Sequence, residues 1–292
     1  MTLQRIVIPP LGIAPRDRAT LLTSIDHLPP DLLMEGDVPR WLAGVTFQAL
    51  GCNPLTRIES IACGVVPVKT ANTMGDVIGF DSFTIYDAIE GSLLCTDILR
   101  LDSDVEIRMP AMVSEQLANE LMAGGARAYN GASPDVNPSF VTSASVVTGG
   151  PYLPNEALAL LEQGAADLLH GGQATLHLTP RGFSSVNGMD QAENINGRWV
   201  TAQGHVVIAD AGYDGTEPDA NAGAIMADEW WYMSGPVFFA LTQPEPLGMP
   251  YERVDYATNQ LTNIYEGYAT VVFDPCAILA VPVSYLADTW MS

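Results

Sequence analysis

From Ile264 to Phe273 polar and apolar side chains alternate, and β-branched and aromatic residues are dense. A period of two with that composition predicts a strand on a half-buried sheet. Tyr265, Gly267, Ala269, Val271 and Phe273 fall on one face, and Ile264, Glu266, Tyr268, Thr270 and Val272 on the other. Asp274-Pro275 breaks the run, because proline cannot donate to a ladder. Cys276 to Val283 resumes as a second apolar strand, expected to close the same sheet. Helical periodicity is clearest in two places. Pro110 to Ala123 carries Val113, Leu117, Ala118, Leu121 and Met122 on one stripe, with proline at the start and Gly124-Gly125 as the stop. Pro154 to Leu169 carries Leu158, Leu161, Ala165, Leu168 and Leu169.

The other segments are shorter. Residues 1–50 are rich in proline and read as an extended arm with little core of its own, with helical turns at Arg16–Ile25 and Pro30–Met34. Trp41, Val45 and Phe47 supply an apolar anchor. Val65–Val68 and Phe80–Ile85 read as two strands joined by a polar tip at Thr70–Asp76, with Phe80, Phe83 and Tyr86 as aromatics. An isolated hairpin is marginal in water, so this one needs a partner surface. Asn130–Asn137 reads as loop. Beyond Pro151 helix and strand alternate: strands at Ala174–Leu178, His205–Ala209, Glu229–Gly235 and Val237–Leu241, a turn at Asn196-Gly197, and a linker at Gln243–Pro250. The result is a mixed α+β chain with an α/β unit at about 150–245.

Composition narrows the function. The chain has 292 residues, 48% of them hydrophobic, enough for a substantial core. Its longest apolar runs are far shorter than the ~20 residues of a membrane helix, and prolines interrupt the N-terminus where a signal peptide would need an apolar core. A soluble protein that is not secreted is expected. The 12 Lys+Arg face 34 Asp+Glu, a formal charge of −22, and Lys69 is the only lysine. Such a charge repels nucleic-acid phosphates and argues against sequence-reading DNA binding. Assembly would have to rest on apolar burial and well-placed arginines. Cys52, Cys63, Cys95 and Cys276 form no CxxC and lie near no histidine, so a zinc site is unsupported and free buried thiols are the default.

The search for chemistry finds no phosphate loop, GxGxxG, HExxH or GxSxG. Ser184-Ser185 reads as lying in a Gly-flanked loop, with no histidine and orienting carboxylate to match. Asp210, Asp214, Glu217 and Asp219 miss the spacing of a calcium loop and read as a solvated acidic loop. His177 and His205 sit in apolar strands as satisfied core residues; His27 and His170 are isolated. Trp230 and Trp231 point to opposite faces of one strand, one toward the core and one toward a rim or interface. No catalytic, cofactor or metal residue is expected.

The order of segments resembles the major capsid protein of tailed bacteriophages with the Hong-Kong-97-type fold, as in phages of actinobacteria. The likeness runs through RWLAGVTFQALGC (40–52), GFDSFTIYDAIEGS (79–92), NEALALLEQGAADLLHGGQATLHLTP (155–180), GHVVIADAGYDGT (204–216), YMSGPVFFAL (232–241) and ATNQLTNIYEGYATVVFDPCAILAVPV (257–283). It covers most of the chain and rests on the run of segments rather than on a short motif. It implies an N-terminal arm at 1–50, an extended hairpin loop at 51–101, a peripheral domain with a spine helix at 102–149 and 246–292, and an axial domain at 150–245. The function it implies is structural: copies of the chain build an icosahedral shell around DNA, in the virion, after assembly in the host cytoplasm. Scaffolding, cement and portal proteins are the further partners implied, with DNA enclosed but not read and no membrane involved.

The candidate contacts between copies are Trp41, Lys69, Phe80, Phe83, Tyr86, Trp230, Trp231 and Glu266. Some members of that family crosslink a hairpin lysine to a neighbour's asparagine with help from a glutamate; here that would engage Lys69 with Asn259 or Asn263 beside Glu266, and the plainer reading is a solvated lysine. Two other readings stay open: an encapsulin-like cargo compartment, which shares the fold, and a different virion component such as a tail or connector protein. A hydrolase built on Ser184 or the Asp210–Asp219 loop is favoured by nothing in the sequence.

Overall fold

A computed structural model describes residues 20–28, 34–35, 38–39, 44–48, 77–92, 98–124, 137–169, 171–242, 245–246, 254–255, 257 and 260–285. Trp41, Lys69, Asn259, His170, Cys52, Cys63, Cys95, the expected strand Val65–Val68 and the tip Thr70–Asp76 lie outside the described residues.

Two large sheets carry the fold. The strand expected at Ile264–Phe273 spans Gln260–Phe273 and organises the first, a six-stranded sheet among the described residues. Phe83–Ser92 runs antiparallel along one side of it, from Ala269↔Phe83 to Gln260↔Ser92. Val237–Leu241, Glu245–Pro246 and Val254–Asp255 pair along the other. Asp26–His27 adds in parallel beyond Val237–Leu241. Part of the expected linker Gln243–Pro250 is therefore sheet. The strand's faces divide by alternation as far as Ala269, with Tyr265, Gly267 and Ala269 buried and Ile264, Glu266 and Tyr268 half-buried; from Thr270 to Phe273 both faces are buried.

The second sheet has seven strands, in the order Ser145–Val146, Ile278–Val283, Glu229–Ser234, Thr175–Leu178, Val206–Ala209, Arg198–Thr201 and Ala192–Ile195. This corrects the expectation for the chain's last strand. Ile278–Val283 does not close the long sheet; it pairs over six residues with Glu229–Ser234. Conversely, Val237–Leu241 leaves the second sheet for the first. Two adjacent strands thus cross between sheets side by side, at Gly235-Pro236 and at Asp274–Ala277, and the Gly235 amide donates to the Ala277 carbonyl at 2.9 Å across that joint. Periodicity identifies strands but not their partners, so both strands were legible and their sheets were not.

The long helix starts earlier than expected. It runs from Ile98 to Ala123 with Pro110 in its interior rather than at its start. A proline there forfeits one backbone hydrogen bond, and the remaining turns carry the helix through. Its apolar stripe, Val113, Leu117, Ala118, Leu121 and Met122, is buried in the core above the long strand, as expected. The expected strand Phe80–Ile85 is broken at Asp81-Ser82 into Val77–Phe80, which pairs with Val45–Gln48, and Phe83–Ser92. The cause is Asn137. Its side chain takes over the backbone of Asp81, accepting from the amide at 2.7 Å and donating to the carbonyl at 2.9 Å, so no strand can pair there. The arm also differs from expectation. Leu21, Ile25 and Leu28 are buried in the chain's own core, and the Leu28 amide donates to Phe239 O at 2.8 Å. Met34, expected in a helical turn, lies in a two-residue strand paired with Val38–Pro39.

The second sheet separates two cores. One face, with Trp230, Tyr232, Val206, Ile208, Ile278 and Ala280, joins the long helix and long sheet in the larger core. The other face, with Trp231, Met233, Leu176, Leu178, Val281 and Val283, packs under the helices Pro154–Leu168 and Pro180–Gly188. Both tryptophans are therefore fully enclosed, and neither is at a rim. Phe140 bridges the two sheets: its ring meets His177 at 4.7 Å and Phe273 at 5.1 Å, and Phe273 in turn meets Phe80 at 5.2 Å. Ser184 and Ser185 lie on the helix Pro180–Gly188, not in a loop. Cys276 is disulfide-bonded, against the expectation of free thiols throughout.

Candidate assembly surface

The strand Phe83–Ser92 presents alternate residues to solvent. Thr84, Tyr86, Ala88 and Glu90 are exposed, whereas Ile85 between them is fully buried toward the helix. Directly across the ladder from Tyr86 is Glu266, and from Thr84 and Ala88 are Tyr268 and Ile264. This sheet face carries aromatic, aliphatic and acidic groups together. Tyr86, at 60% exposure, stands furthest out. Its backbone is held from behind, since Gln116 of the long helix donates to Tyr86 O and Arg108 bonds Asp87 at 2.8 Å. A rigid strand with an exposed aromatic on a partly apolar face is suited to contact another surface.

The expected contact residues separate on this geometry. Tyr86, exposed, and Glu266, half-buried, lie together on one face of the long sheet, whereas Phe83 shares the inward face of Ile85 and packs against the core. Phe80, Trp230 and Trp231 are spent on the chain's own cores. Trp41 and Lys69 lie outside the described residues, as does Asn259; Asn263 holds a position on the long strand opposite Ile89.

Three buried polar centres hold the interior; His177 was expected as a satisfied core residue, and the other two were not. Asp210, expected in a solvated loop, is buried and accepts from the Leu21 amide at 3.2 Å and from the Ser114 hydroxyl. It pins the root of the arm, the long helix and the second sheet together. Just beyond it, Gly212 lies so close to the helix that a Cβ would stand 2.4 Å from Glu115 O. Glu229 is the second. Its carboxylate accepts from Thr179 at 2.8 Å, Trp231 Nε1 at 2.5 Å and the Tyr285 hydroxyl. Burial and that bond to Glu229 push the Tyr285 hydroxyl's pKa up, and Arg181 lies 3.8 Å over its ring. The third is His177, with Nδ1 2.9 Å from the Tyr213 hydroxyl and Nε2 2.9 Å from Ser234 Oγ. Ser234 Oγ donates onward to Gly235 O, so Nε2 carries the proton and Nδ1 accepts from Tyr213. Burial holds the His177 pKa down at about 3. Burial, then the charge of Asp210, raises that of Tyr213.

None of these centres presents a reactive group. The Ser234–His177–Tyr213 row has the distances of a nucleophile with its base, but Ser234 is buried and its proton is committed to a carbonyl. Ser184 Oγ donates back to Pro180 O at 2.9 Å. In the acidic loop Asp214 caps Thr216, and Glu217 bonds Asn221 and Gly223. Among the described residues no group of three His, Cys, Asp or Glu is placed to hold a metal, and no helix is long and apolar enough to cross a membrane.

The whole fold matches solved particles. The capsid of a native GTA particle computed with C5 symmetry superposes with a TM-score of 0.58 at 11% identity, over 97% of this chain and 96% of that one. The fold is that of a capsid protein. The capsid of an empty GTA particle gives 0.56 at 13% identity, over 97% and 95% of the two chains. A chain from Gordonia phage Cozz gives 0.54 at 13% identity, over 97% and 91%. No protein-family model matches the sequence, and no curated protein matches it. The fold is thus shared with chains that are only 11–13% identical in sequence. The α+β, Hong-Kong-97-type architecture implied by the resemblance is the one observed.

Proposed function

We propose that this chain is the shell-forming protein of a phage-like particle, a structural protein and not an enzyme. The observation that carries the reading is end-to-end agreement with capsid chains, over 97% of this chain and up to 96% of a GTA capsid chain. A chain that shares only a core motif with a shell would not match over nearly the whole of both chains. Copies of the chain are its main partner, arranged in rings that close into an icosahedral shell. The division follows the resemblance: arm at 1–50, hairpin at 51–101, peripheral domain at 102–149 and 246–292, axial domain at 150–245, with Val237–Leu241 and Ile278–Val283 exchanged between the two sheets. Tyr86 and Glu266 lie on the contact face of the long sheet, to which a neighbour's Trp41 and Lys69 segments are candidates to dock, while Phe83 faces inward with Ile85. The charge of −22 suits a container that must not grip the DNA it encloses. Scaffolding, cement and portal proteins complete the particle, assembled in the host cytoplasm and found in the virion.

Electron microscopy of the purified full chain tests this. Closed shells with five-fold vertices are the expected result. Dispersed monomers, open rings or tubes would overturn it, and shells filled with protein cargo would move the chain to the encapsulin-like reading.

A further inference from the structure

Asn196-Gly197 joins Ala192–Ile195 to Arg198–Thr201, the last two strands in the order of the second sheet. Both turn residues are left-handed, the geometry that a two-residue hairpin loop favours. Both are exposed, and among the described residues nothing lies within 4 Å of where a Gly197 side chain would begin. An asparagine followed by glycine is open to attack by the glycine's amide nitrogen, because no side chain shields that nitrogen or restricts its backbone. The sequence holds two more such pairs, Asn130-Gly131 and Asn187-Gly188. The first lies outside the described residues, and the second closes the helix Pro180–Gly188.

In the turn the attacking nitrogen is already engaged. The Gly197 amide donates to Asn194 Oδ1 at 3.0 Å. Asn194 is itself fixed in the ladder, paired with Trp199, so its side chain reaches the turn from an anchored backbone. Before the Gly197 nitrogen can attack, it must give up its proton and leave that acceptor. The turn must therefore open locally first, as it must for amide exchange.

We propose that Asn196 is a site of spontaneous deamidation and that Asn194 is the positioning residue that sets its rate. The Gly197 nitrogen, its proton lost to water, bonds to Asn196 Cγ. The side-chain nitrogen leaves as ammonia, and the ring so formed is a succinimide. Water then opens the ring at either carbonyl, leaving an aspartate or an isoaspartate. The isoaspartate runs the main chain through the former side chain and lengthens the turn by a methylene. The pairs Arg198↔Ile195 and Trp199↔Asn194 depend on the turn's length. Arg198 also bonds Asp26 Oδ1 at 2.7 Å, which ties this hairpin to the strand Asp26–His27 of the long sheet. Damage at Asn196 thus loosens the hairpin and its tie to the root of the arm. The guard has most value on the shell reading, since a particle makes no replacement chains; the chemistry itself needs only the folded chain.

Ageing the purified full chain in warm, mildly alkaline buffer, with peptide mapping by mass and enzymatic methylation of isoaspartate, tests this. Asn196 should convert slowly in wild type and about fivefold faster in Asn194→Ala, the effect of losing one ordinary hydrogen bond. Asn194→Asp keeps an acceptor oxygen and should stay near the wild-type rate. Asn187, mapped in the same samples, should keep its rate in all three chains. No conversion at Asn196 in any chain would overturn the site. Equal rates in wild type and Asn194→Ala would overturn the guard, and so would an equal rise at Asn187, which would mean general loosening. Amide exchange of the converted fraction should rise over Ala192–Thr201 and not over Ile98–Ala123; an unchanged hairpin would overturn the structural consequence. The measurement reads single chains, so its failure leaves the shell reading standing, and a failure to form shells leaves the deamidation site standing.

Discussion

Phe140 meets Phe273 edge to face, with ring centroids 5.1 Å apart, and through that contact the turn before the second sheet is locked onto the end of the long strand. Phe140 is fully buried among rings from both sheets. Phe140→Ala should therefore cost about 3–5 kcal/mol, because the surrounding rings cannot collapse into the space. Urea unfolding should show a lower midpoint, with Phe140→Leu in between; equal midpoints for wild type and Phe140→Ala would show that the ring does not join the sheets.

The pH dependence of stability should carry the signature of His177. Its folded pKa is lowered by burial to about 3, from the 6.5 of a free imidazole. Between those values the unfolded chain binds a proton that the folded chain refuses. Its contribution is complete above pH 6.5 and falls as pH drops, by about 1.4 kcal/mol per unit. From pH 6.5 to 5 the loss from this group is about 2 kcal/mol. Urea midpoints measured against pH should fall less steeply over that window in His177→Gln than in wild type; parallel curves would rule the imidazole out.

Ser114→Ala removes one of the two donors seen on the buried Asp210 carboxylate. The expected cost is about 1–3 kcal/mol. Amide exchange should rise over Leu21–Leu28, whose first turn hangs from the same carboxylate, before it rises in the second sheet. Uniform exchange across the chain would mean that Asp210 does not pin the arm.

Tyr86 offers a separation of folding from assembly. Its side chain is 60% exposed and has no core role, so Tyr86→Glu should change monomer stability by less than about 0.5 kcal/mol. On the proposed contact face it should sharply reduce the yield of shells in sedimentation. Trp230→Ala should do the reverse and prevent folding before assembly arises. Normal shells from Tyr86→Glu would remove this face from the list of contacts.

Local periodicity explains which parts of this molecule could be read in advance. The long strand, the apolar stripe of the long helix and the helix Pro154–Leu168 each repeat their own burial in their own residues. The Asn196-Gly197 turn was legible for the same reason, since both residues adopt positive φ, at 54° and 87°. What stayed hidden depends on distant partners. Asp81 looks like any strand residue until Asn137 takes its hydrogen bonds. Asp210 looks solvated until Ser114 and Leu21 arrive from elsewhere in the chain. Trp230 and Trp231 were correctly set on opposite faces, but nothing local shows that both faces of that strand are covered. Of the contact face, the outward position of Tyr86 followed from alternation, whereas its pairing with Glu266 needed the register.

The placement of Ile278–Val283 also sets an order of events during synthesis. This strand lies inside the second sheet, between Ser145–Val146 and Glu229–Ser234. Until the ribosome has made it, Trp231 and the helix Pro154–Leu168 lack the strand that completes their core. A nascent chain halted anywhere before residue 278 therefore has no finished second sheet to offer a neighbour. On the proposed shell reading, copies join one another only after that strand has been made.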